Sequence, residues 1–476
     1  MDTIWPPDAL DATGPKYKTV VRMIREKIAA GDLAAGTKLP PVRELAWQLK
    51  ITPGTVARAY TVLTDSGVLK AEVGRGTFVA GDGTISAEVP DKPLNLIEID
   101  SVEHGTGDDE TRAVNLFSPH LPNAGQARLI RSILRDLSAD PPSGLMHYPS
   151  RRSAKPAREA LVEWLAGVPI GPIDEADIVL SHGGQHAIQL IFQTILRGRR
   201  PTIFVEELAY PGFRRAAELL RAEIVPITID ADGIVPSALA AAAADNPEAQ
   251  VLCTSPEVHS PTCGFTPLQR RLEIAEVARR HDLQIVEDDC YRIGHPQAES
   301  YRALAPERGW YLTSLSKSLT PALRVGCAIG PKGTSAALHR VAEHGFFGLP
   351  SLMIDLTAAL LTHPQFQQVS IAARTGIERY VKIAVNALGA FDLRWRRDVP
   401  FVWLVLPQGW RATAFCQAAE KQGVQVRAAE EFACRDAQTP HAVRMAINCG
   451  VPEARFEAAM HRLRELLDHP PEQISV

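Results

Sequence analysis

From residue 113 to residue 467, short strand-like runs return again and again between long helical stretches, and this alternation constrains the fold more tightly than any other feature of the chain. The runs are IVLS at 178–181, TIFVE at 202–206, AQVLCTS at 249–255, LQIVED at 283–288 and WYLTSLS at 310–316. Strands separated by helices are joined by crossovers, which set them side by side and parallel. An α/β unit with a largely parallel sheet is therefore predicted. The alanine run from Ala240 to Ala244 is predicted to be the surface of one of its helices. A chain of 476 residues is longer than one hydrophobic core supports, so a second unit is also expected.

That second unit lies at the N-terminus. Tyr17, Val20, Val21, Ile24 and Ile28 recur at helical spacing up to Gly31. After Pro41, which suits a first helical position, Val42, Leu45, Ala46 and Leu49 repeat the stripe. Thr52 is placed to cap a third stripe, Val56, Tyr60 and Leu63, that runs towards Gly67. Three helices so closely joined make a helix-turn-helix. VLKAEVGRGTFVA at 68–80 adds a hairpin wing turning at Gly74, Arg75 and Gly76. Charge sets this unit apart. Residues 16–80 hold eleven Lys or Arg against five Asp or Glu, in a chain whose net charge is −4. A basic patch confined to one end points to a polyanion partner there. The domains predicted are a DNA-binding unit at 1–80, an acidic linker at 81–112 and a large unit at 113–476.

In the N-terminal unit the motifs G-x-L-x-x-G-x-K-L-P-P-x-R-E-L-A (31–46), G-T-V-A-R-A-Y (54–60) and G-R-G-T-F-V (74–79) resemble the winged helix-turn-helix of the GntR family of bacterial regulators. The resemblance implies double-stranded operator DNA as the partner, with the start of the third helix in the major groove. Arg43, Lys50, Arg58 and, at the wing tip beside Gly74, Arg75 would then meet phosphates or base edges. Pro53 and Gly54 stand where the family often has an arginine, which shifts base reading to Thr52, Thr55 and backbone groups. Taken singly, each arginine could equally be a solvated helix face.

The N-terminus lacks a basic start and an apolar core, and no long uncharged apolar run occurs, so a cytoplasmic protein without a membrane span is expected. Seven cysteines without metal-type spacing read as reduced thiols, and no metal is expected.

Six motifs of the large unit carry chemistry: H-Y-P-S (147–150), S-H-G-G-Q-H-A (181–187), E-E-L-A-Y-P-G (206–212), Q-I-V-E-D-D-C-Y (284–291), T-S-L-S-K-S-L-T-P-A-L-R-V-G (313–326) and H-A-V-R-M-A-I-N (441–448). A lysine among hydroxyls with an arginine seven residues on suits a Schiff base beside a phosphate. In this order the motifs resemble the fold type I pyridoxal-phosphate transferases, which are aspartate aminotransferase-like, and within them the multi-substrate and 2-aminoadipate aminotransferases. With the N-terminal unit, the chain resembles the MocR subfamily of GntR regulators.

The resemblance implies pyridoxal 5′-phosphate bound through Lys317. Its phosphate would meet Ser314, Ser316, Arg324 and the amides of Gly183, Gly184 and Gln185 at a helix N-terminus. Asp288 would hold the pyridine nitrogen, Tyr291 the phenolic oxygen, and Tyr210 would stack on the ring. Tyr148 would reach the phosphate of a neighbouring subunit, which implies a homodimer, although Ser153 stands in that frame where a glycine is usual. Arg444 would grip an effector carboxylate. One segment departs from the family: H-S-P-T-C-G (259–264) replaces N-P-T-G, with Ser260 in place of the asparagine and Cys263 inserted. Losing that asparagine argues against efficient transamination. His259 either replaces it in part or is a structural histidine.

Three functions fit the sequence. One is a regulator that senses an amino acid or amine through aldimine exchange at Lys317, with vestigial or weak aminotransferase activity. The second is a working aminotransferase with a fused DNA-binding domain, and the third a sensor of pyridoxal phosphate itself. The wing favours the first and third, and Arg444 favours the first over the third.

Overall fold

The computed structural model describes residues 16–65, 67–72, 76–80, 113–139, 146–434, 437 and 439–470. The expected linker at 81–112 and the wing-tip residues Gly74 and Arg75 lie outside the described residues. The chain divides into two compact units at Pro93/Leu94.

In the N-terminal unit the three predicted stripes become the helices Lys16–Ala29, Val42–Gln48 and Pro53–Asp65. Val20, Ile24, Leu45, Leu49, Val56, Tyr60 and Leu63 turn inward to one core, because helical spacing keeps each stripe on one face. The wing pairs Leu69–Glu72 with Gly76–Val79 antiparallel, in the register Leu69↔Val79, and Leu69 and Val79 close the core from that side. Tyr60 Oη donates to the carbonyl of Pro40 at 2.7 Å, tying the third helix to the turn before the second. Tyr60→Phe is expected to lower this unit's unfolding free energy by about 1 kcal/mol, since one buried hydrogen bond is removed with little change of volume. Urea unfolding of the variant and parent measures the difference.

The large unit is built on a seven-stranded sheet in the order Ile178–Ser181, Gly326–Ile329, Gly309–Ser314, Gln284–Asp288, Ala249–Thr254, Thr202–Glu206, Glu223–Ile227. Gly326–Ile329 is antiparallel to both its neighbours, and all other pairs are parallel. Most strands are buried end to end, as expected where helices cover both faces. The alanine run falls within the helix Pro236–Asp245, but it is more than surface. Ala243 is buried with Ile274, Ala275 and Ala278 of the helix Leu268–Arg280, while Ala241 and Ala244 are exposed. Alanine permits that close approach of two helices because it carries so little volume.

A second, antiparallel sheet orders Leu393–Arg394, Phe401–Val405, Ala442–Ala446 and Arg427–Ala428. Val402, Leu404 and Val443 from it share a core with Phe415 and Phe456 of flanking helices. Among the described residues no helix is long and apolar enough to cross a membrane, and no group of His, Cys, Asp and Glu could hold a metal ion.

Candidate functional site

The parallel strands deliver side chains at their C-terminal ends, where open α/β sheets bind ligands. Ile178–Ser181 runs into Gly183, whose φ of 77° is open to glycine at little cost, and then into the helix Gly184–Ile195. A Cβ on Gly184 would lie 2.4 Å from Cys290 Sγ, so only glycine brings that helix N-terminus so close to the Asp288 strand. The strand Gly309–Ser314 ends in a turn carrying Ser316 and Lys317. A short 3₁₀ turn, Pro321–Leu323, then presents Arg324 in the left-handed region, its Nη2 donating to the carbonyl of His182 at 3.3 Å.

These elements enclose a cavity of about 650 Å³ that Lys317, Ser314, Ser316, Arg324, Gly184, Gln185, Tyr210, Asp288, Tyr291 and Arg444 all line. Gly183 adjoins it through Arg324, 3.2 Å from where a Cβ would stand. Lys317 Nζ lies 5.8 Å from the Tyr291 ring centre. Tyr210 opens the helix Pro211–Leu219, with its ring 6.4 Å from and edge-on to that of Tyr291. Asp288 is buried and accepts from the amide of Cys290 at 2.9 Å. Burial pushes its carboxyl up to about 6.

Arg444 is 4% exposed and has no carboxylate partner among the described residues. Its guanidinium lies over Phe401 at 4.2 Å, Tyr291 at 5.2 Å and Phe432 at 5.4 Å. Nη2 donates to Tyr291 Oη at 3.3 Å, and Nε has no partner among the described residues. Burial alone would raise the Tyr291 hydroxyl's pKa; the charges of Arg444 and Lys317 reverse this and leave it lowered. A buried, unpaired guanidinium is costly unless an anion completes it.

The departure at 259–264 resolves one way. His259 Nδ1 lies 2.6 Å from Thr262 Oγ1 and Nε2 2.9 Å from the carbonyl of Leu208, so both ring nitrogens are satisfied within the fold. Neither His259 nor Ser260 lines the cavity of Lys317, and the buried Ser260 Oγ has no partner among the described residues. Tyr148, 88% exposed, also stands outside this cavity, beside Phe347 at 6.4 Å between ring centres. Sequence reasoning missed Phe117, Cys290, Arg427 and Glu431, which line the cavity too. Only Cys290 carried a signal, sitting inside the motif at 284–291 beside Asp288.

On the N-terminal unit, Arg43, Lys50, Thr52 and Arg58 are exposed and Thr55 is half-buried. Thr52 stands immediately before the third helix, its hydroxyl 2.9 Å from that of Thr55. Arg58 stacks over Tyr17, 4.2 Å from the ring centre.

A three-helix unit with a wing, joined to a mixed α/β sheet that gathers Lys, Asp, Tyr and Arg at its strand ends, defines a helix-turn-helix regulator fused to a pyridoxal-phosphate transferase fold. Residues 115–463 match the model of aminotransferase class I and II and residues 16–79 that of the gntR family of bacterial regulatory proteins. The chain belongs to these families, in the MocR subfamily of GntR-type transcriptional regulators. An uncharacterized HTH-type transcriptional regulator of Bacillus subtilis, YdeF, is 28% identical over 98% of this chain and 97% of its own. The probable rhizopine catabolism regulatory protein MocR of Rhizobium meliloti is 25% identical over 73% of this chain and 72% of its own. Among solved structures, the α-aminoadipate aminotransferase LysN of Thermus thermophilus, complexed with N-(5′-phosphopyridoxyl)-L-leucine, aligns with a TM-score of 0.65. It is 20% identical and covers 75% of this chain and 92% of its own.

The cofactor is pyridoxal 5′-phosphate, and the cavity fits it. The buried Ser316 Oγ and Gln185 Oε1 have no partner among the described residues, Gly184 lines the cavity at a helix N-terminus, and Asp288 offers a buried carboxylate.

Proposed function

We propose that the protein binds operator DNA as a homodimer and changes its hold when an amino acid or amine displaces Lys317 from the cofactor. The observation that carries this reading is Arg444, buried without an anion in the cavity that also holds Lys317. Sensing the cofactor alone needs no second anion site.

Pyridoxal phosphate, when bound, supplies an aldehyde carbon that primary amines join reversibly and a ring that withdraws electrons. Lys317 would hold that carbon through Nζ. Ser314, Ser316, Arg324 and the amides of Gly183, Gly184 and Gln185 would hold the phosphate, and Asp288 would keep a proton on the ring nitrogen. Tyr210 would pack on the ring, and Tyr291 would donate to its phenolic oxygen. Arg444 orients the incoming carboxylate. Lys317 would be the amine against which an effector's amine exchanges, a trade of one amine for another that needs no oxidant or reductant. Two states that differ in this bond give the effector the differential interaction a switch requires.

Exposed Met146, Tyr148 and Phe347 support an interface with a second copy, whose symmetry paired half-sites would mirror. Sedimentation showing a monodisperse monomer with full cofactor would overturn the dimer. Arg43→Ala and Arg58→Ala are each expected to weaken operator binding and reduce the slope of log affinity against log salt by about 0.9 for each phosphate no longer neutralised. Unchanged affinity and slope in both would move the DNA surface elsewhere. A regulator of chromosomal operators works in the cytoplasm.

The test of the whole reading is the visible spectrum of the purified protein against a panel of amino acids and amines, with operator affinity measured alongside. A spectral shift and a change in affinity produced by the same compound support it; no shift with any compound sinks it. A working aminotransferase is the second reading, favoured by the gathering of Lys317, Asp288 and Arg444 around one cavity. Net amino transfer to a 2-oxo acid would establish it.

A further inference from the structure

Arg427 and Arg444 are direct Cα partners across the antiparallel pair Arg427–Ala428 and Ala442–Ala446. Residues so paired project from the same face of a sheet, and both side chains line the cavity of Lys317. Like charges directly opposed on neighbouring strands are unfavourable, so the arrangement calls for anions on that face. Arg444 has none. Arg427 has a borrowed one. Its Nη1 meets Glu431 Oε2 at 2.5 Å, while Nε donates to the carbonyl of Phe117 at 3.2 Å and the guanidinium lies 4.7 Å over the Phe117 ring. Both members of the Arg427–Glu431 pair are partly exposed at the cavity wall, at 31% and 43%. Exposed ion pairs of this kind contribute little, so a ligand anion can replace Glu431. The backbone of Arg427 and its packing on Phe117 meanwhile hold the guanidinium in place.

We propose that Arg427 is a specificity-determining residue for a second, distal acidic group, so that the effector is a dicarboxylic amino acid. This rests on the reading that an amino compound enters the Lys317 cavity, with its α-carboxylate on Arg444. The distal carboxylate then sits on Arg427, and Glu431 is released to solvent. Planar guanidinium forks suit both carboxylates. A neutral side chain of equal length leaves the Arg427–Glu431 pair closed and gains nothing from it.

The experiment uses the full-length protein loaded with pyridoxal phosphate. L-glutamate and L-2-aminoadipate are compared with their neutral counterparts L-glutamine and L-norleucine, by calorimetry for binding and by the visible spectrum for exchange at Lys317. The acidic ligands are expected to bind about ten-fold more tightly than the neutral ones, and Arg427→Gln to bring the ratio close to one. Arg427→Lys, which keeps the charge without the fork, is expected to fall between. Equal binding of acidic and neutral ligands, an acidic preference that survives in Arg427→Gln, or no binding by any of the four overturns the proposal. An acidic preference in calorimetry without a spectral shift upholds Arg427 and removes exchange at Lys317. Equal spectral shifts with all four do the reverse.

Discussion

Lys317→Ala abolishes the visible absorbance of the bound cofactor and, with it, the response of operator binding to any amino effector, while binding in the absence of effector persists. The first effect follows because Nζ is the amine that this cavity offers to the aldehyde carbon. Arg324, Ser316 and Asp288 still stand around it, so non-covalent binding of the cofactor continues. The second follows because a ligand shifts an equilibrium only through what it changes between two states, and without the lysine there is no bond to exchange. DNA binding survives because residues 16–79 carry a hydrophobic core of their own. Titrating operator DNA against the variant, with and without effector, reads all three outcomes. An unaltered effector response rules out amine exchange as the signal.

Asp288→Asn weakens cofactor binding by about two orders of magnitude, because removing one member of a buried charge pair leaves the other unpaired. The effect of pH has a definite sign. Burial raises the carboxyl from the usual 3.8 to about 6. Relative to the unfolded chain, the cofactor-free fold thus favours the neutral acid, and that contribution to stability is full below 3.8 and lost as pH rises through 6. A protonated ring nitrogen needs the carboxylate instead, so cofactor affinity falls as pH drops through about 6 in the parent and has no such step in the asparagine variant. Fluorescence titration of the cofactor from about pH 5 to about pH 8 resolves the step. A parent protein whose affinity is flat across that range places the ring nitrogen elsewhere.

Much of this site was legible because its parts are local. The Ser-Leu-Ser-Lys turn ends a strand, the Gly183-Gly184 pair opens a helix, and Asp288 and Tyr291 are three residues apart, so spacing alone keeps each group near its neighbours. The helical stripes of the N-terminal unit were legible for the same reason. Arg324 was expected at the phosphate, and its reach depends on a left-handed backbone and on Gly183 lacking a Cβ, features a motif only hints at. The alanine run misled in part, since composition names a helix without saying which side packs.

Consecutive residues were enough to specify the two-unit plan and the mostly parallel sheet, because periodicity is written locally in the chain, whereas the lysine, the carboxylate and the arginine were singled out by the resemblance of their motifs. It took the folded chain to reveal that His259 is satisfied by Thr262 and Leu208, that Arg444 is buried without an anion, and that Arg427 faces it with Phe117, some 310 positions away, beneath its guanidinium. Those outcomes depend on strand register and long-range packing. A slip of one residue between Arg427–Ala428 and Ala442–Ala446 would turn one arginine to the other face, and no local pattern fixes that register.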